Sequence, residues 1–503
     1  MKTEFQRSTP ESVGISSKAV LKLIDHLEED YSEIHSLMIM RHDQIVAEGW
    51  WQPYSPAVRH QMMSASKTFS GTAIGLAVKE GITSMDEKIS EIFPEYIPEN
   101  ASENLMKITV RDLLCMGSGC EPVMPVDQNW PMNFFNDGEF KYEPGTHFLY
   151  NNAAGTLLAL IIKKRTGQNL PEFLKERLFE KIGIDYDNVT WFSGPDGTNF
   201  APGGMHCTTE DLLRLMRLYL HHGNWDGETI LDEEYVRLAT SKRIDSSNIF
   251  GYAQTDRFSD NVFGYGYMMW ISHDDMGYRA EGGYGQFGIV IPKLDMIIAI
   301  TQTSSESPVS QTTLDYVWQF AETVQEDALP EDSEAYRQLE NRLSRLSVKR
   351  DPVNPHGIFP HPGVTYRAEE KGIAPYALFF DPIKAREEAK TMTGINEFSF
   401  QTDENNPYHV RMYCLINGNE YYLNIPTDGS RAYHVIPEMI YASEVLLSGY
   451  WQNENTFRVR FRWYETCFTR ELSFRFTENG CTVSAVMVHG EDRDPLKQAE
   501  YRF

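Results

Sequence analysis

At 503 residues the chain exceeds what one hydrophobic core fills, and two domains are expected. With 46 Lys and Arg against 72 Asp and Glu, its formal net charge of −26 repels phosphate backbones, and no basic cluster offsets that locally, which excludes nucleic acid as a partner. No apolar run approaches the roughly 20 residues that cross a bilayer, and the N-terminal MKTEFQRSTPESVG lacks a secretory leader's apolar stretch, so a cytoplasmic protein without membrane association is expected.

Ser16 or Ser17 can cap a first helix whose apolar face is Val20, Leu23, Ile24 and Leu27. Strands over 36–40 and 44–50 follow, joined through Arg41, His42 and Asp43. A long helix is predicted over 64–80, with Gly81 placed to end it. Helical patterns recur over 110–116, 153–166, 170–182 and 209–221, and strand patterns return over 263–271, 287–292 and 296–301 before a helix over 311–324. Strands from both ends thus enclose a mostly helical middle. That order suggests an α/β arrangement: one antiparallel sheet covered by helices, with an all-helical insertion.

From Glu326 an acidic stretch with Pro330, a charged helix over 333–346, and Pro352, Pro355, Pro360 and Pro362 form a linker. Beyond it the pattern has period two, over 408–416, 420–425, 445–451, 456–463, 471–476 and 482–488. Turn signals at Asn417-Gly418, Asp428-Gly429 and Asn479-Gly480 separate these segments. The expected divisions are an α/β domain over 1–325, a linker over 326–362 and an all-β domain over 363–503. The last is an antiparallel barrel, with a lipocalin-like barrel as one form, or a sandwich.

Several patterns point away from metal, redox or nucleotide chemistry. Cys115, Cys120, Cys207, Cys414, Cys467 and Cys481 form no CxxC pair and read as reduced, partly buried thiols. His206, His221 and His222 have no metal-site spacing, and neither a metal nor another cofactor is expected. Gly283-Tyr284-Gly285-Gln286-Phe287-Gly288 fits GxGxxG literally, but a strand pattern continues through Ile289 to Pro292 where a dinucleotide site needs a helix.

Ser64-Ala65-Ser66-Lys67 puts a serine at a helix start and a lysine three residues on, within mutual reach on one face. Lysine can take a serine proton when its neutral form is favoured. Backbone N–H groups at the helix end can stabilise negative charge on a substrate oxygen. Alone, Ser-x-x-Lys arises by chance in chains of this length. Tyr150-Asn151-Asn152 follows a Pro144-Gly145 loop and precedes an apolar helix; a phenol there can relay protons and an amide can orient lysine or substrate. Alone, it is a core tyrosine beside a helix cap.

Taken in order, with a glycine-rich strand after them, these motifs resemble the serine β-lactamase and penicillin-binding family. The likeness is to the branch holding class C β-lactamases, DD-peptidases, D-aminopeptidases, nylon-oligomer hydrolases and serine esterases. It spans roughly residues 5–325 and includes AIGLAVKEGITSMDEKI, ITVRDLLCMGSGC, YEPGTHFLYNN, APGGMHCTTEDLLRLMRLYLHHGNWDGETIL and YRAEGGYGQFGIVIPKLDMIIAITQ. The resemblance implies a β-lactamase-like fold with Ser64 as acylated nucleophile, Lys67 as its base, Tyr150 as proton relay and Asn152 as positioning amide. It also implies an oxyanion hole from the backbone N–H groups of Ser64 and Gly283.

The family's strand usually offers Lys or His, a small hydroxyl residue, then Gly. Here the matching stretch is Ala280-Glu281-Gly282-Gly283. Loss of the cation argues against substrates with a free carboxylate, including β-lactams and D-Ala-D-Ala peptides. Arg279 could substitute, although strand alternation favours the opposite face for it; Glu281 could instead attract an amine or accept a hydrogen bond. Between the motifs, Trp130, Phe134 and Phe135 are candidates to line the acyl pocket, with packing of the insertion as the equal alternative.

The function expected is hydrolysis of a small-molecule ester or amide through a Ser64 acyl-enzyme. A D-amino-acid peptidase or β-lactamase-type amidohydrolase is the variant within that chemistry, and a non-catalytic binder of peptides or cell-wall fragments is the reading outside it. The intact quartet argues against the binder. No chemistry is assigned to the C-terminal domain, and the sequence sets no oligomeric state.

Overall fold

The computed structural model describes residues 4–29, 32–123, 129–194, 196–248, 259–304, 310–354, 359–369, 372–373, 394–403, 405–437, 443–488 and 500–503. The chain forms two compact units, Met1–Gln302 with Pro308–Leu346, and Thr303–Ser307 with Ser347–Phe503.

The first unit is built on a seven-stranded sheet. Its strands are β1 (Gln6–Arg7), β2 (Ser32–Arg41), β3 (Gln44–Trp50), β4 (Trp270–Ile271), β5 (Tyr278–Gly282), β6 (Gln286–Ile291) and β7 (Met296–Ser304), in the order β1-β3-β2-β7-β6-β5-β4. Short β1 runs parallel to β3, while β2 with β3 and each neighbouring pair from β4 to β7 are antiparallel. Strands from the two ends of this unit's chain therefore share one sheet. β5, β6 and β7 are buried along their whole length, as continuous rather than alternating burial requires of a sheet covered on both faces.

Helix α1 (Ser17–Glu29) buries Val20, Leu23, Ile24 and Leu27, the apolar stripe legible in its spacing. Helix α2 (Ser66–Lys79) is different, because Ser66 through Ala77 are all buried. A helix enclosed on every side needs small residues where neighbours come closest. At Gly75 an added Cβ would lie 2.6 Å from the Tyr235 ring, whose hydroxyl donates to the Gly71 carbonyl at 2.5 Å. Gly81, at φ +69°, follows the last turn, as a left-handed helix terminus requires. Helices α3 (Asn152–Thr166) and α4 (Thr209–Leu220) complete the surroundings of α2, and Thr208 caps α4 in a reciprocal box with Asp211.

The strand expected over 263–271 is confined to Trp270–Ile271. Gly266 is pressed against the Ala239 carbonyl, Tyr267 N–H donates to that same carbonyl and Met268 N–H to Leu114. These backbone groups find partners in the helical part instead of a neighbouring strand. The charged helix placed in the linker, α6 (Ser333–Leu343), packs on α1 after α5 (Gln311–Ala321): Lys18 pairs with Asp332 at 2.8 Å, Arg342 with Glu28, and Leu346 covers Gly49. The first unit thus continues to Leu346.

The second unit holds two antiparallel sheets. One contains β8 (Tyr366–Arg367), β9 (Ile395–Asp403), β10 (Asn406–Ile416) and β11 (Asn419–Pro426); the other contains β12 (Ala432–Val435), β13 (Glu444–Asn453), β14 (Thr456–Trp463), β15 (Thr469–Thr477), β16 (Gly480–Met487) and β17 (Glu500–Arg502). Phe398 and Phe400 of the first sheet pack edge-on against Phe474 of the second, with centroids 4.9 Å apart in both pairs. Among the described residues the strands form two separate sheets and no closed barrel. Asn417-Gly418 makes the tight hairpin between β10 and β11, with both residues at positive φ.

No described helix is long and apolar enough to cross a membrane. Replacing Gly75 with Ala is expected to lower stability by about 1–3 kcal/mol, because the Tyr235 ring cannot retreat in a packed interior. A drop in thermal midpoint on calorimetry checks this, and an unchanged midpoint would show that the helix can shift to make room.

Candidate active site

Ser64 lies in a 3-10 turn, Met63–Ala65, that leads into α2, so the α-helix itself opens at Ser66, two residues after the start expected from the sequence pattern. Met63 holds φ +48°, a left-handed conformation uncommon for a residue with a long side chain. Three contacts hold that turn. The Ser66 hydroxyl donates to the Met63 carbonyl at 2.6 Å and accepts from Met205 N–H at 3.2 Å, while Met62 N–H donates to the Met205 carbonyl at 2.9 Å. The 200–207 stretch is thereby a brace behind the serine.

Lys67, the second residue of α2, is 1% exposed. Its Nζ donates to the Pro202 carbonyl at 2.9 Å and lies 2.9 Å from Ser64 Oγ. Burial alone lowers its pKa well below the ordinary lysine value, and no carboxylate among the described residues pairs with it to restore the charge. A neutral amine has one lone pair, and at this distance it can accept the serine proton.

Tyr150 closes the triangle. Its ring lies 4.7 Å from Lys67 Nζ and stacks on Trp270 at 5.8 Å and 15°. Burial raises the phenol pKa well above 10, the charge of Glu281 raises it further, and a hydrogen-bonding contact with Ser64 opposes both. Tyr150 is therefore a protonated phenol beside the serine. Ser64 and Tyr150 are half-buried and Lys67 buried, so the hydroxyl groups can be reached while the amine stays dry.

Asn152 is the first residue of α3 and half-buried. Its neighbour Asn151 does work that the Tyr-x-Asn pattern conceals. From full burial, the Asn151 Oδ1 caps Ala153 N–H at 3.0 Å and accepts from Val123 N–H at 3.1 Å, and Nδ2 donates to the Glu121 carbonyl at 3.1 Å. It ties Glu121 and Val123 to the start of α3. Residues 124–128 lie outside the described residues.

Strand β5 brings the third motif against the nucleophile turn. A Cβ at Gly282 would fall 2.2 Å from the Met62 carbonyl and 3.0 Å from Met63 Cβ, so glycine is what lets the strand approach. Ala280 is fully buried, and Gly283 follows the end of the strand. Glu281 and Arg279 lie on one face, two residues apart. Arg279 Nε donates to Glu281 Oε2 at 2.8 Å, and Arg279 also donates to Asn261 Oδ1, to Ser272 Oγ at 3.2 Å and to the Ile271 carbonyl. Arg279 is thus a buried, fully engaged partner of Glu281 and not a free substitute for the missing cation. The Gly283–Gly288 stretch turns between β5 and β6, strand to strand.

Trp130, Phe134 and Phe135 are buried in the hydrophobic core of the helical part. Phe135 stacks on Tyr96 at 5.7 Å, Phe134 meets Phe140 edge-on at 5.5 Å, and Trp130 Nε1 donates to Asp196 at 3.1 Å. Those contacts are packing of the insertion; none is with Ser64, Lys67 or Tyr150. Among the described residues no cluster of His, Cys, Asp and Glu could hold a metal. Each of the six cysteines is buried, and burial pushes the Cys115 and Cys120 thiols up to about 12.

The residues that spacing could not reveal are Pro202, whose carbonyl serves Lys67, Trp270, which stacks on Tyr150, and Asn261, which joins the Arg279–Glu281 pair. A carbonyl is present on every residue, and long-range ring stacking leaves no local pattern.

A family model described as beta-lactamase matches residues 24–322. A 6-aminohexanoate-dimer hydrolase of Paenarthrobacter ureafaciens is 26% identical over 320 residues, covering 58% of this chain and 78% of the relative. A beta-lactamase of Escherichia coli strain K12 is 24% identical over 216 residues, covering 38% of this chain and 55% of the relative. A solved Bacillus anthracis structure, named as a candidate 6-aminohexanoate-dimer hydrolase, aligns with a TM-score of 0.50 at 20% identity over 68% of this chain and 89% of its own, a likeness of fold. With a family match extending over more than half of its length, the chain belongs to the beta-lactamase family of serine hydrolases.

Proposed function

We propose that the protein hydrolyses a small ester or amide through a covalent acyl-enzyme on Ser64, and that the acyl donor lacks a free carboxylate near the scissile bond. The observation that carries this reading is the dry amine of Lys67, without a carboxylate partner among the described residues, at 2.9 Å from Ser64 Oγ. Lys67 takes the serine proton as Oγ bonds to the substrate carbonyl carbon. The proton passes by way of the Tyr150 phenol to the leaving oxygen or nitrogen as that bond breaks. Water, deprotonated by the same pair, then adds to the ester and releases the acid with Ser64 reprotonated.

Two further features support it. The backbone N–H groups of Ser64 and Gly283 have no backbone partner among the described residues, which suits donation to an oxyanion; a donor of this kind is worth about 3 kcal/mol. Strand β5 offers no unpaired cation, since Arg279 is tied to Glu281 and Asn261. Asn152, at the first residue of α3, has the amide to orient the substrate or Lys67.

An activity-based fluorophosphonate is expected to label the wild type and leave Ser64→Ala unlabelled; an equally labelled variant would move the nucleophile elsewhere. Nitrophenyl esters should be turned over and a chromogenic cephalosporin scarcely so, and efficient cephalosporin hydrolysis would overturn the carboxylate argument. Because the neutral amine is the base, kcat/KM should fall as the pH drops through the lowered pKa of Lys67.

The same shift fixes a sign for stability. The unfolded chain keeps the lysine proton up to the ordinary lysine pKa, whereas the folded chain releases it at lower pH, so stability rises with pH between the two values. Lys67→Met should remove that slope while abolishing acylation. Denaturant melts across pH check the slope, and a variant with the wild-type slope would show that Lys67 is charged in the fold.

A further inference from the structure

A cavity of about 670 Å³ lies at the C-terminal end of α4, within the size range of small-molecule sites. Its walls are that helix end, the end of the helix Glu233–Ala239, the turn joining β4 to β5, and the turn between β6 and β7. Ser64, Lys67, Tyr150, Asn152 and Gly283 do not border it.

One wall residue is a buried polar group without a partner. Tyr278, the first residue of β5, lies on the same strand face as Ala280 and Gly282. Gly288, opposite Ala280, meets Leu212 and Met216 of α4 on that face. The Tyr278 side chain is thereby carried towards α4, where it lines the cavity. The residue is 5% exposed, and its hydroxyl makes no hydrogen bond with the described residues. Burial this deep leaves a phenol in want of a partner, and the cavity is the side from which one can come.

The chemistry of the other walls has a sign. Three side-chain donors are directed elsewhere: Thr240 Oγ1 donates to the Val236 carbonyl at 2.9 Å, Ser241 Oγ to the Arg237 carbonyl at 2.7 Å, and Lys242 Nζ to Asp245 at 2.6 Å. Acceptors are left over. Asp275, exposed in the turn after β4, has neither an ion pair nor a hydrogen bond among the described residues. The Leu220 carbonyl, last of α4, accepts nothing there and carries the partial negative charge of a helix end. Asp295 adds a carboxylate paired with His42 at 2.8 Å, and His222 is exposed. The rings of Tyr219 and Tyr278, with Leu220, Ile271 and Pro292, supply apolar surface and aromatic faces that attract a cation.

We infer that this cavity is a binding site for a primary organic ammonium with an apolar body, held by Asp275, the Leu220 carbonyl and the Tyr278 hydroxyl. An ammonium has three N–H donors and no acceptor, which matches those three groups in number and in kind. The site stands whether or not Ser64 is the nucleophile, because it shares no residue with that centre.

Calorimetric titration of the full chain at neutral pH with benzylammonium, benzyl alcohol and benzoate tests this. Benzylammonium should bind about tenfold tighter than benzyl alcohol, and benzoate more weakly than either. Asp275→Asn keeps the side-chain shape and suits the left-handed φ of +59° at this position. It should weaken benzylammonium about fivefold, and Tyr278→Phe, which removes only an unpartnered hydroxyl, about threefold. Neither change breaks a hydrogen bond or ion pair, so both variants should keep the wild-type thermal midpoint and their affinities compare like with like. Benzylammonium binding no tighter than benzyl alcohol overturns the inference. An affinity unchanged in either variant overturns it as well, since the amine is then held elsewhere, the catalytic cleft included.

Discussion

A lysine amine deprived of water is the constraint around which the catalytic unit is organised. Holding Lys67 inside a helix buried on all sides disfavours its charged form, and that cost is what suits the amine to the role of base proposed for it. A carboxylate partner would restore the charge and remove the reactivity, so its place is taken by a carbonyl, that of Pro202, and by the ring of Tyr150. Stability is given up at one position for chemistry, as functional sites commonly require.

Two solutions to buried charge stand side by side in this unit. At Lys67 the charged form is disfavoured; in the Arg279–Glu281 pair charge is retained and compensated, with Asn261 satisfying both partners. Every buried polar atom in the second arrangement has a defined direction, which makes the pair a fixed dipole instead of a mobile ion. The cluster of Asp260, Gln311 and Trp318 behind it makes that direction a property of the packing.

The sheet makes these placements possible. Strands β2 and β3 come from the start of the chain and β4 to β7 from some 220 residues later, yet they share one sheet, with the helical insertion between them in sequence. Ser64 enters from the first part, Tyr150 from the insertion and Glu281 from the last. Close approach depends on residues without side chains: Gly282 against Met62, and Gly71 and Gly75 against Met268 and Tyr235. The second unit is stabilised by different means, an aromatic core of Phe398, Phe400, Phe457 and Phe474 between two sheets.

Much of this was legible in the sequence because it is local. The apolar stripe of α1, the span of β3, the helix end at Gly81 and the hairpin at Asn417-Gly418 follow from periodicity and from backbone preferences of single residues. The Ser64, Lys67, Tyr150 and Asn152 constellation was legible through the order of its motifs, since each alone is common. What tertiary structure alone decided is charge and contact. Whether Lys67 is neutral depends on how many atoms exclude water from it, and whether Arg279 is free depends on Glu281 and Asn261 meeting it. Trp130, Phe134 and Phe135 look alike as pocket or core until their neighbours are known. The stretch over 263–271 carries strand composition, but Tyr267 and Met268 give their N–H groups to the carbonyls of Ala239 and Leu114 at helix ends, because hydrogen-bond partners are chosen by the fold and not by the residues that need them.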